Sequence, residues 1–489
     1  MSPPLRIRCC TPLLVALLLL LSAAPAAAQD SLTLAQAVAL AQARGHQADA
    51  AHAALEAARY RDRSFSSRLL PQLSLSGTVP AYNRSIISVV QPDGSTSFRP
   101  QQQTNASLTM RLSQRIPFTG GDVFVSSSLS RLRVTGTQDF ETWSSTPFTI
   151  GLRQDILRPN TTRWDQREQR VQADLNERTY REAMEDIALT TTGSFFDVYA
   201  ARVALQNAVT NAATNDTLYR LNQGRYEVGK IGENDLLQSE LALLRSRTSL
   251  DGAQLEYDRA LAALRLALNI SPDTPLSVAV SATVPPVEPD TAVAVTQALH
   301  NRASVSTVEL QEVQARRRIT EAKLANGIGA TVQASYGYNA TAPEAGLAYQ
   351  NLLEARQLTL SVQVPLWQWG AHGEDIRAAE AERDRTESLG QSTLEQVAHD
   401  ARYAALQLSQ ARRNVALSAK ADTVAGKRFE VAYNRYVIGR ISIDNLYIAQ
   451  NEKDQALTQF VRALRGYWQA YYQLRRVTLF DFEAGQPIR

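Results

Sequence analysis

Side chains able to carry out catalysis or to bind a metal ion are few and scattered in this sequence. No H-E-x-x-H pair, phosphate-binding P-loop or G-x-S-x-G turn occurs in the 489 residues. The five histidines are His46, His52, His300, His372 and His399. Only His46 and His52 are close in sequence, and their spacing puts them on different faces of a helix. The sequence therefore predicts no catalytic residue, no metal site and no cofactor, and we do not expect an enzyme.

The first 28 residues predict a secretory signal peptide. A basic start precedes an apolar run at 13–21 and three alanines at 26–28, the order expected before a cleavage site. An uncleaved anchor is the alternative, but this run is shorter than the ~20 residues that a spanning helix needs. Both cysteines, Cys9 and Cys10, lie in this segment. Cleavage would therefore leave a mature chain without disulfides or thiolate sites.

Charge and hydropathy exclude two further classes. The net charge is only +3, from 51 basic and 48 acidic residues. This argues against nucleic acid as a partner, because such binding needs a clustered basic surface. After the apolar run at 13–21, no stretch approaches the length of a membrane-spanning helix. If the mature chain lies in a membrane, strands must cross it.

Two stretches without proline, 160–271 and 366–486, predict long helices because they are rich in Ala, Leu, Arg, Gln and Glu. A helix over 160–226 would be about 100 Å long. Helices over 33–68 and 233–270, placed end to end, would roughly match that length. The second half of the chain suggests the same plan.

The apolar residues of the second proline-free stretch follow a heptad repeat. Mostly apolar and small side chains alternate in steps of four and three from Val397 to Tyr436, and again from Leu446 to Val477, with Asp422 and Lys453 as the charged exceptions. This 3.5-residue period predicts a coiled-coil seam, with an ordinary helical-bundle core as the alternative. The seam is rich in alanine, which allows the facing backbones to approach closely.

The chain also repeats itself. The sequence Arg-Tyr-Glu-Val-Gly-Lys-Ile at 225–231 returns 210 residues later as Arg-Tyr-Val-Ile-Gly-Arg-Ile at 435–441. The same offset relates Leu236 to Leu446. We therefore predict two tandem copies of one unit. The predicted segments are a signal peptide at 1–28, a first repeat at 29–284, a linker at 285–290, a second repeat at 291–478 and a tail at 479–489.

Each copy contains segments in which apolar and polar residues alternate, at 72–79 and 148–156 in the first and at 331–339 and 357–366 in the second. This pattern is typical of a barrel with lipid outside and water inside. A sandwich with one solvated face is an equally good interpretation. An extra candidate hairpin at about 107–134 has no counterpart in the second copy.

Two local features have alternative interpretations. Trp367 and Trp369 follow a predicted strand and fit an aromatic girdle at a membrane surface, or else burial in a core. The consecutive arginines Arg316, Arg317 and Arg318 are interpreted as a solvated helix face.

The chain resembles the TolC family of outer-membrane efflux proteins. The resemblance rests on the entry segment 34–41, the Leu-Pro-Gln-Leu junction at 70–73, and the duplicated Arg-Tyr-x-x-Gly-x-Ile turn in this order. It implies an α+β membrane channel-tunnel of two tandem structural repeats, in which long antiparallel coiled-coil helices join amphipathic strands that form a trimeric β-barrel. The family plan has four strands per chain, and the extra hairpin departs from it.

The resemblance also implies a function and partners. Such a channel exports small molecules or proteins from a tripartite efflux pump or a type I secretion system, in the outer membrane of a Gram-negative bacterium. The implied partners are two further copies of the chain, a periplasmic adaptor (membrane fusion protein), an inner-membrane transporter and outer-membrane lipid. The alternative is a periplasmic coiled-coil adaptor or scaffold. An adaptor usually has one helical hairpin and a compact β domain, whereas this sequence suggests two hairpins.

The site residues implied by the resemblance lie at the two helical turns. The adaptor-contact tips would be Val228, Gly229, Lys230, Ile231, Gly232, Ile438, Gly439, Arg440, Ile441 and Ser442. The entrance gate would be Tyr436, Arg440 and Asp444, with Tyr447 where a second acidic residue is expected. Glycine suits a helix-ending turn with positive φ, and an exposed Ile or Val beside it favours a contact. Plain turns with a buried Ile, and solvated tip residues in place of a gate, are the alternatives.

Overall fold

The chain consists of two successive sets of elements in the same order, each with two helices, a group of antiparallel strands and two longer helices. The computed structural model describes residues 31–136 and 139–488. The first set comprises α1 Leu34–Arg44, α2 His46–Arg68, β1 Gln72–Val90, β2 Thr96–Arg115, β3 Asp122–Thr135, β4 Phe140–Ile156, α3 Thr161–Glu227 and α4 Glu233–Ala267. The second set comprises α5 Thr291–Asn301, α6 Ala303–Ala325, β5 Gly329–Ala342, β6 Leu353–Gln363, α7 Ala371–Val437 and α8 Ile443–Thr478. A 3₁₀ turn at Leu347–Tyr349 and the short strands β7 Phe480–Asp481 and β8 Gln486–Pro487 complete the chain.

The tandem repetition is confirmed by this order of elements, whereas the boundaries given for the repeats stay predictions. The predicted signal peptide lies outside the described residues. The long helices are confirmed, since α3 and α7 each contain 67 residues. Within the part of the chain that the structure describes, no helix is both long and apolar enough to cross a membrane.

The single helix predicted over 33–68 is wrong, because two helices meet there at Gly45. Gly45 has an extended backbone, with φ −71° and ψ 144°. A Cβ atom at this position would lie 2.5 Å from the carbonyl oxygen of Ala41, so only glycine fits the break without a shift. The second set has a matching break at Arg302, where φ is −69° and ψ is 143°.

The described chain forms two compact units. The first, which we call the helical unit, contains residues 31–52, 181–298 and 399–488. The second, the strand unit, contains the described residues of 53–180 and 299–398. Each unit therefore takes segments from both sets of elements.

The core of the helical unit is built from large side chains of the long helices. Phe195 and Phe196 of α3 and Tyr467 of α8 are fully buried. The predicted heptad seam of α7 is buried at Ala404 and Leu408, which pack in the same cluster. Small residues at this seam leave room for aromatic side chains on the facing helices.

An ion pair inside this core joins α3 to α8. The Arg475 guanidinium donates two 3.0 Å hydrogen bonds to the Glu185 carboxylate, whose side chain is only 3% exposed. Asp481 provides a second carboxylate for Arg475. Losing one partner of such a pair leaves an unpaired buried charge, which typically costs about 3–5 kcal/mol.

The strand unit contains one antiparallel sheet of six strands in the order β1-β2-β3-β4-β5-β6. The candidate hairpin at about 107–134 corresponds to β2 and β3, which lie inside this sheet. Their connecting turn is tight, because Gly120 has φ +78° and the Ile116 N–H donates to the Gly121 carbonyl at 2.8 Å. The sheet therefore has six strands rather than the four that the resemblance implies.

One face of this sheet is apolar across its strands. Leu75 lies opposite Met110 in the β1–β2 ladder, and Ala334 lies opposite Leu358 in the β5–β6 ladder. Leu75 is 70% exposed and Leu358 is 77% exposed. The opposite face is polar, as at Ser74, Arg111, Ser126 and Thr149, which share one level of the sheet. A sandwich would cover the apolar face with a second sheet, so the exposed face does not fit that alternative.

Arg317 corrects the interpretation of the arginine run as a solvated face. Its guanidinium donates to Asp165 at 2.7 Å, to Glu168 at 3.1 Å and to Glu321 at 2.7 Å. Its side chain is only 23% exposed, whereas Arg316 and Arg318 remain open to solvent. One arginine of the run therefore anchors α6 to α3 within the strand unit.

Replacing Ala404 by leucine is expected to destabilise the protein by about 1–3 kcal/mol, because the seam around it has no room for a larger side chain. Thermal unfolding of the purified protein in detergent measures this effect. The matched control is Ala416→Leu on the same helix, where the side chain is exposed. Equal melting temperatures for the two variants would contradict the assignment of Ala404 to a tight seam.

Candidate functional site

The turn between α3 and α4 ends its helix with a Schellman motif. The Gly229 N–H donates to the Tyr226 carbonyl at 2.9 Å, and the Lys230 N–H donates to the Arg225 carbonyl at 2.8 Å. Gly229 has φ +72°, the left-handed conformation that this motif requires. The positive φ predicted for the glycine of this turn is therefore confirmed.

The turn between α7 and α8 has the same geometry. The Gly439 N–H donates to the Tyr436 carbonyl at 2.9 Å, and the Arg440 N–H donates to the Arg435 carbonyl at 2.8 Å. Gly439 has φ +76°. The repeated Arg-Tyr-x-x-Gly sequence thus encodes one helix-ending turn twice, with the same residue types at equivalent positions.

The apolar residues of these turns differ in exposure. Val228 and Ile438, which precede the glycines, are 68% and 65% exposed. Ile231 and Ile441 are half-buried, and Ile441 packs against the cluster formed by Tyr436 and its neighbours. The remaining exposed positions are Gly229, Lys230, Gly232, Gly439, Arg440 and Ser442. In each tip, therefore, one apolar residue is exposed to solvent and the other is half-buried.

Tyr436 is buried and holds the end of α7 against α3. Its hydroxyl donates to Asn222 Oδ1 at 2.6 Å, and its ring packs near Leu218 and Leu446. The Arg225 guanidinium lies 5.2 Å from the ring centroid and donates to the Val437 carbonyl at 2.8 Å. Burial raises the pKa of the Tyr436 phenol above its ordinary value, so this group remains neutral and able to donate.

The predicted gate residues do not contact one another. Asp444 accepts a 2.7 Å hydrogen bond from the Gln238 side chain of α4. Arg440 is exposed, and its guanidinium makes no hydrogen bond or ion pair with the residues that the structure describes. Tyr436 lies in the interior, as described above. Within one chain the three residues therefore have separate positions, and only Arg440 and Asp444 are exposed.

Sequence reasoning missed the polar partners of these residues, which are Asn222, Arg225 and Gln238. The Asn222–Tyr436 contact joins positions more than 200 residues apart, which periodicity alone does not relate. One signal was present in the sequence. Asn222 and Arg225 are three residues apart on α3 and therefore share a helix face.

A polar seam continues from this contact along α3 and α8. The side-chain amides of Asn207 and Asn211 donate to Asp454 at 2.8 and 2.7 Å. Nearer the tip, the buried oxygen atoms Asn215 Oδ1, Gln450 Oε1 and Tyr447 Oη have no hydrogen-bond partner among the described residues. Burial is also the main reason that the pKa of Tyr447 is raised above its ordinary value.

Trp367 and Trp369 lie beyond the end of β6 and are 73% and 89% exposed, so burial in a core is wrong for both. Their rings meet edge to face at 5.3 Å. No group of three or more His, Cys, Asp or Glu residues that could hold a metal ion occurs at 31–136 or 139–488.

Comparison with known proteins identifies related sequences. Residues 122–269, from the start of β3 to just beyond α4, match the family described as outer membrane efflux protein. A segment of 223 residues is 25% identical to Protein CyaE of Bordetella pertussis and covers 45% of this chain and 47% of that protein. The alignment thus spans about half the length of this relative.

Solved structures share the fold over almost the whole chain. The CmeC outer membrane channel of Campylobacter jejuni is 16% identical and aligns over 93% of this chain and 86% of its own, with a TM-score of 0.66. The outer membrane protein VceC of Vibrio cholerae is 14% identical and aligns over 93% and 97%, also with a TM-score of 0.66. The predicted fold of long helices joined to amphipathic antiparallel strands is confirmed, whereas its closure into a trimeric β-barrel stays a prediction, and a periplasmic adaptor is not favoured.

Replacing Gly439 by alanine is expected to destabilise the protein by about 1–2 kcal/mol, because an L-residue pays this cost in the left-handed conformation. Gly426 lies within α7, and a Cβ atom there would meet no atom within 4 Å. The control Gly426→Ala should therefore stabilise the helix by about 0.5–1 kcal/mol. Unfolding midpoints of the purified variants measure both effects, and shifts of the same sign would contradict the turn geometry.

Replacing Tyr436 by phenylalanine is expected to cost about 1–3 kcal/mol, because it leaves the buried Asn222 side chain without its donor. A double-mutant cycle with Asn222→Ala should give a coupling free energy of about 0.5–3 kcal/mol. Tyr433→Phe is the control, since Tyr433 packs on the same cluster and its hydroxyl has no hydrogen bond among the described residues. Additive effects of Tyr436→Phe and Asn222→Ala would rule out a stabilising bond.

Proposed function

We propose, from an outer membrane efflux protein domain at residues 122–269 and a fold shared with outer-membrane channels, that this chain is a channel-tunnel of the Gram-negative outer membrane. Three copies form the channel. It exports small molecules or proteins as the exit duct of a tripartite efflux pump or a type I secretion system. The chain itself does no chemistry, and a periplasmic adaptor connects it to an inner-membrane transporter that supplies the energy.

The exposed apolar face of the six-stranded sheet is the observation that carries this proposal. Exposed leucine, valine and isoleucine side chains occur on one face at β1, β2, β4 and β6, and Tyr336 of β5 lies on the same face, while the opposite face is polar. Soluble proteins rarely expose a continuous apolar surface of this extent. Lipid on the apolar face and water on the polar face satisfy both surfaces.

The two helical turns are the docking surface for the adaptor in this proposal. Val228 and Ile438 project from turns whose backbones are fixed by the same hydrogen bonds. Two equivalent apolar residues per chain suit a partner that makes the same contact at each of the two tips. The half-buried Ile231 and Ile441 support the turns from within.

The entrance gate is also part of the proposal, with distinct roles for its residues. Arg440 and Asp444 are exposed beside the turn and can form ion pairs with a neighbouring copy, each worth only about 0–1 kcal/mol at a wet surface. Tyr436 is a positioning residue that fixes the end of α7 through Asn222. Weak links repeated three times would keep an entrance narrow and still allow a partner to open it.

The experiment compares Val228→Asp/Ile438→Asp with the wild type and with Leu255→Asp, which changes an equally exposed leucine on α4. All three proteins should fractionate with the outer membrane and migrate as trimers on unboiled gels. Drug accumulation should show loss of export only in the tip variant, because a carboxylate at each tip removes the apolar contact. A soluble monomer would overturn the channel, and full export by the assembled tip variant would overturn the docking surface.

A further inference from the structure

Resting on the proposed trimer, we propose that three copies close a barrel of eighteen strands, in which β1 of one copy pairs with β6 of the next. Each copy contributes six strands to one continuous sheet. The partner that completes each edge is therefore a second copy of this chain. The pore wall would be wider than the twelve-stranded wall implied by the resemblance.

The strands β2 and β3 are full members of the sheet. Their ladder runs without a register shift from Gln102 opposite Thr135 to Arg115 opposite Asp122. Each is also paired on its other side, β2 with β1 and β3 with β4. Removing them from the wall would break three ladders, so a four-stranded arrangement would have to rebuild the centre of the sheet.

The turn between β2 and β3 lies at the end of the sheet where the helices begin. The Asn160 side chain, directly before α3, donates to the Pro117 and Phe118 carbonyls at 2.9 and 3.1 Å. The Gln114 side chain donates to the Leu69 carbonyl, directly after α2, at 2.7 Å. The hairpin formed by β2 and β3 therefore runs along the exposed apolar face of the sheet to the end near the helices, turns there and runs back.

The two faces of the sheet continue through the added strands. Thr109 of β2 lies between Ser76 and Ser128 on the polar face. Met110 of β2 lies between Leu75 and Ser127 on the apolar side. This alternation is what a strand needs if water lies on one side and lipid on the other.

The two edge strands of the sheet are available for pairing with neighbouring copies. Among the described strands of the sheet, β1 and β6 each pair with one neighbour only. Exposed Leu73 and Leu75 on β1, and exposed Leu358 and Leu360 on β6, place both edges within the apolar band. Backbone N–H and C=O groups in lipid need partners, so these edges must pair with each other across copies.

The strand number sets the width of the pore. With strands about 4.8 Å apart and tilted by about 40°, eighteen strands form a ring about 36 Å across between backbones, and twelve form one of about 24 Å. The added wall area is lined by the polar faces of β2 and β3. A wider duct accommodates bulkier cargo at the level of the membrane.

Paired cysteine variants test whether β2 lines the pore. Thr109→Cys and Met110→Cys are adjacent and point to opposite faces, and both are made in a background with Cys9 and Cys10 replaced by serine. In outer membranes, a bulky water-soluble maleimide should label the Thr109→Cys variant and spare the Met110→Cys variant. Labelling of both, of neither, or of the second alone would overturn the assignment of β2 to the wall.

Electron cryomicroscopy of the wild-type oligomer in detergent counts the strands. We expect three copies and eighteen strands, with β1 beside β6 of the neighbouring copy. Three copies with twelve strands would overturn this inference and leave the proposed channel intact. Two copies with twelve strands would overturn both this inference and the trimer, and a monomer without a pore would overturn the proposed function as well.

Discussion

Hydrogen bonding of the strand backbone is the constraint on which the arrangement of this protein depends. A strand in contact with lipid cannot give its N–H and C=O groups to water, so another strand must accept them. The four inner strands, β2 to β5, meet this condition within one chain. The outer strands do not, and in the proposed channel a neighbouring copy must complete them. Helices satisfy their backbones internally, so the helical unit is free to use its side chains for packing and for its terminal turns.

The helical turns are fixed by their own backbone hydrogen bonds rather than by pairing with a neighbouring strand. Glycines with positive φ and paired hydrogen bonds fix the backbone of each turn. The seam behind them combines a buried Tyr436–Asn222 bond with polar atoms that have no hydrogen-bond partner among the described residues. The hydrogen bonds that fix each turn lie within its own backbone, so the turn geometry does not rely on the side-chain contacts of the seam.

Much of the fold follows from local sequence signals, and the rest depends on distant pairing. The proline-free stretches and the heptad period predict the long helices α3 and α7, and the bounds 160–226 predicted for α3 lie within one residue of Thr161–Glu227. The break at Gly45 was missed, because one glycine inside a helical pattern does not reveal an extended backbone. Arg317 was assigned to solvent, because its carboxylates on α3 lie far away in sequence. The repeat predicts the duplicated turn, whereas the contacts of Asn222 with Tyr436 and of Gln238 with Asp444 follow only from the packing of the helices.

The first set of elements has four strands and the second has two, and these even numbers fix the end of the sheet at which the chain leaves it. A pair of antiparallel strands begins and ends at the same end of the sheet, so after β2 and β3 are added β4 still returns the chain to the junction before α3. An odd number of added strands would deliver α3 to the opposite end and separate it from the helices with which it packs. The wall of such a protein can therefore grow only in steps of two. Growth by hairpins changes the circumference and leaves the direction of each helix unchanged, so pore width and helical architecture can vary independently during evolution.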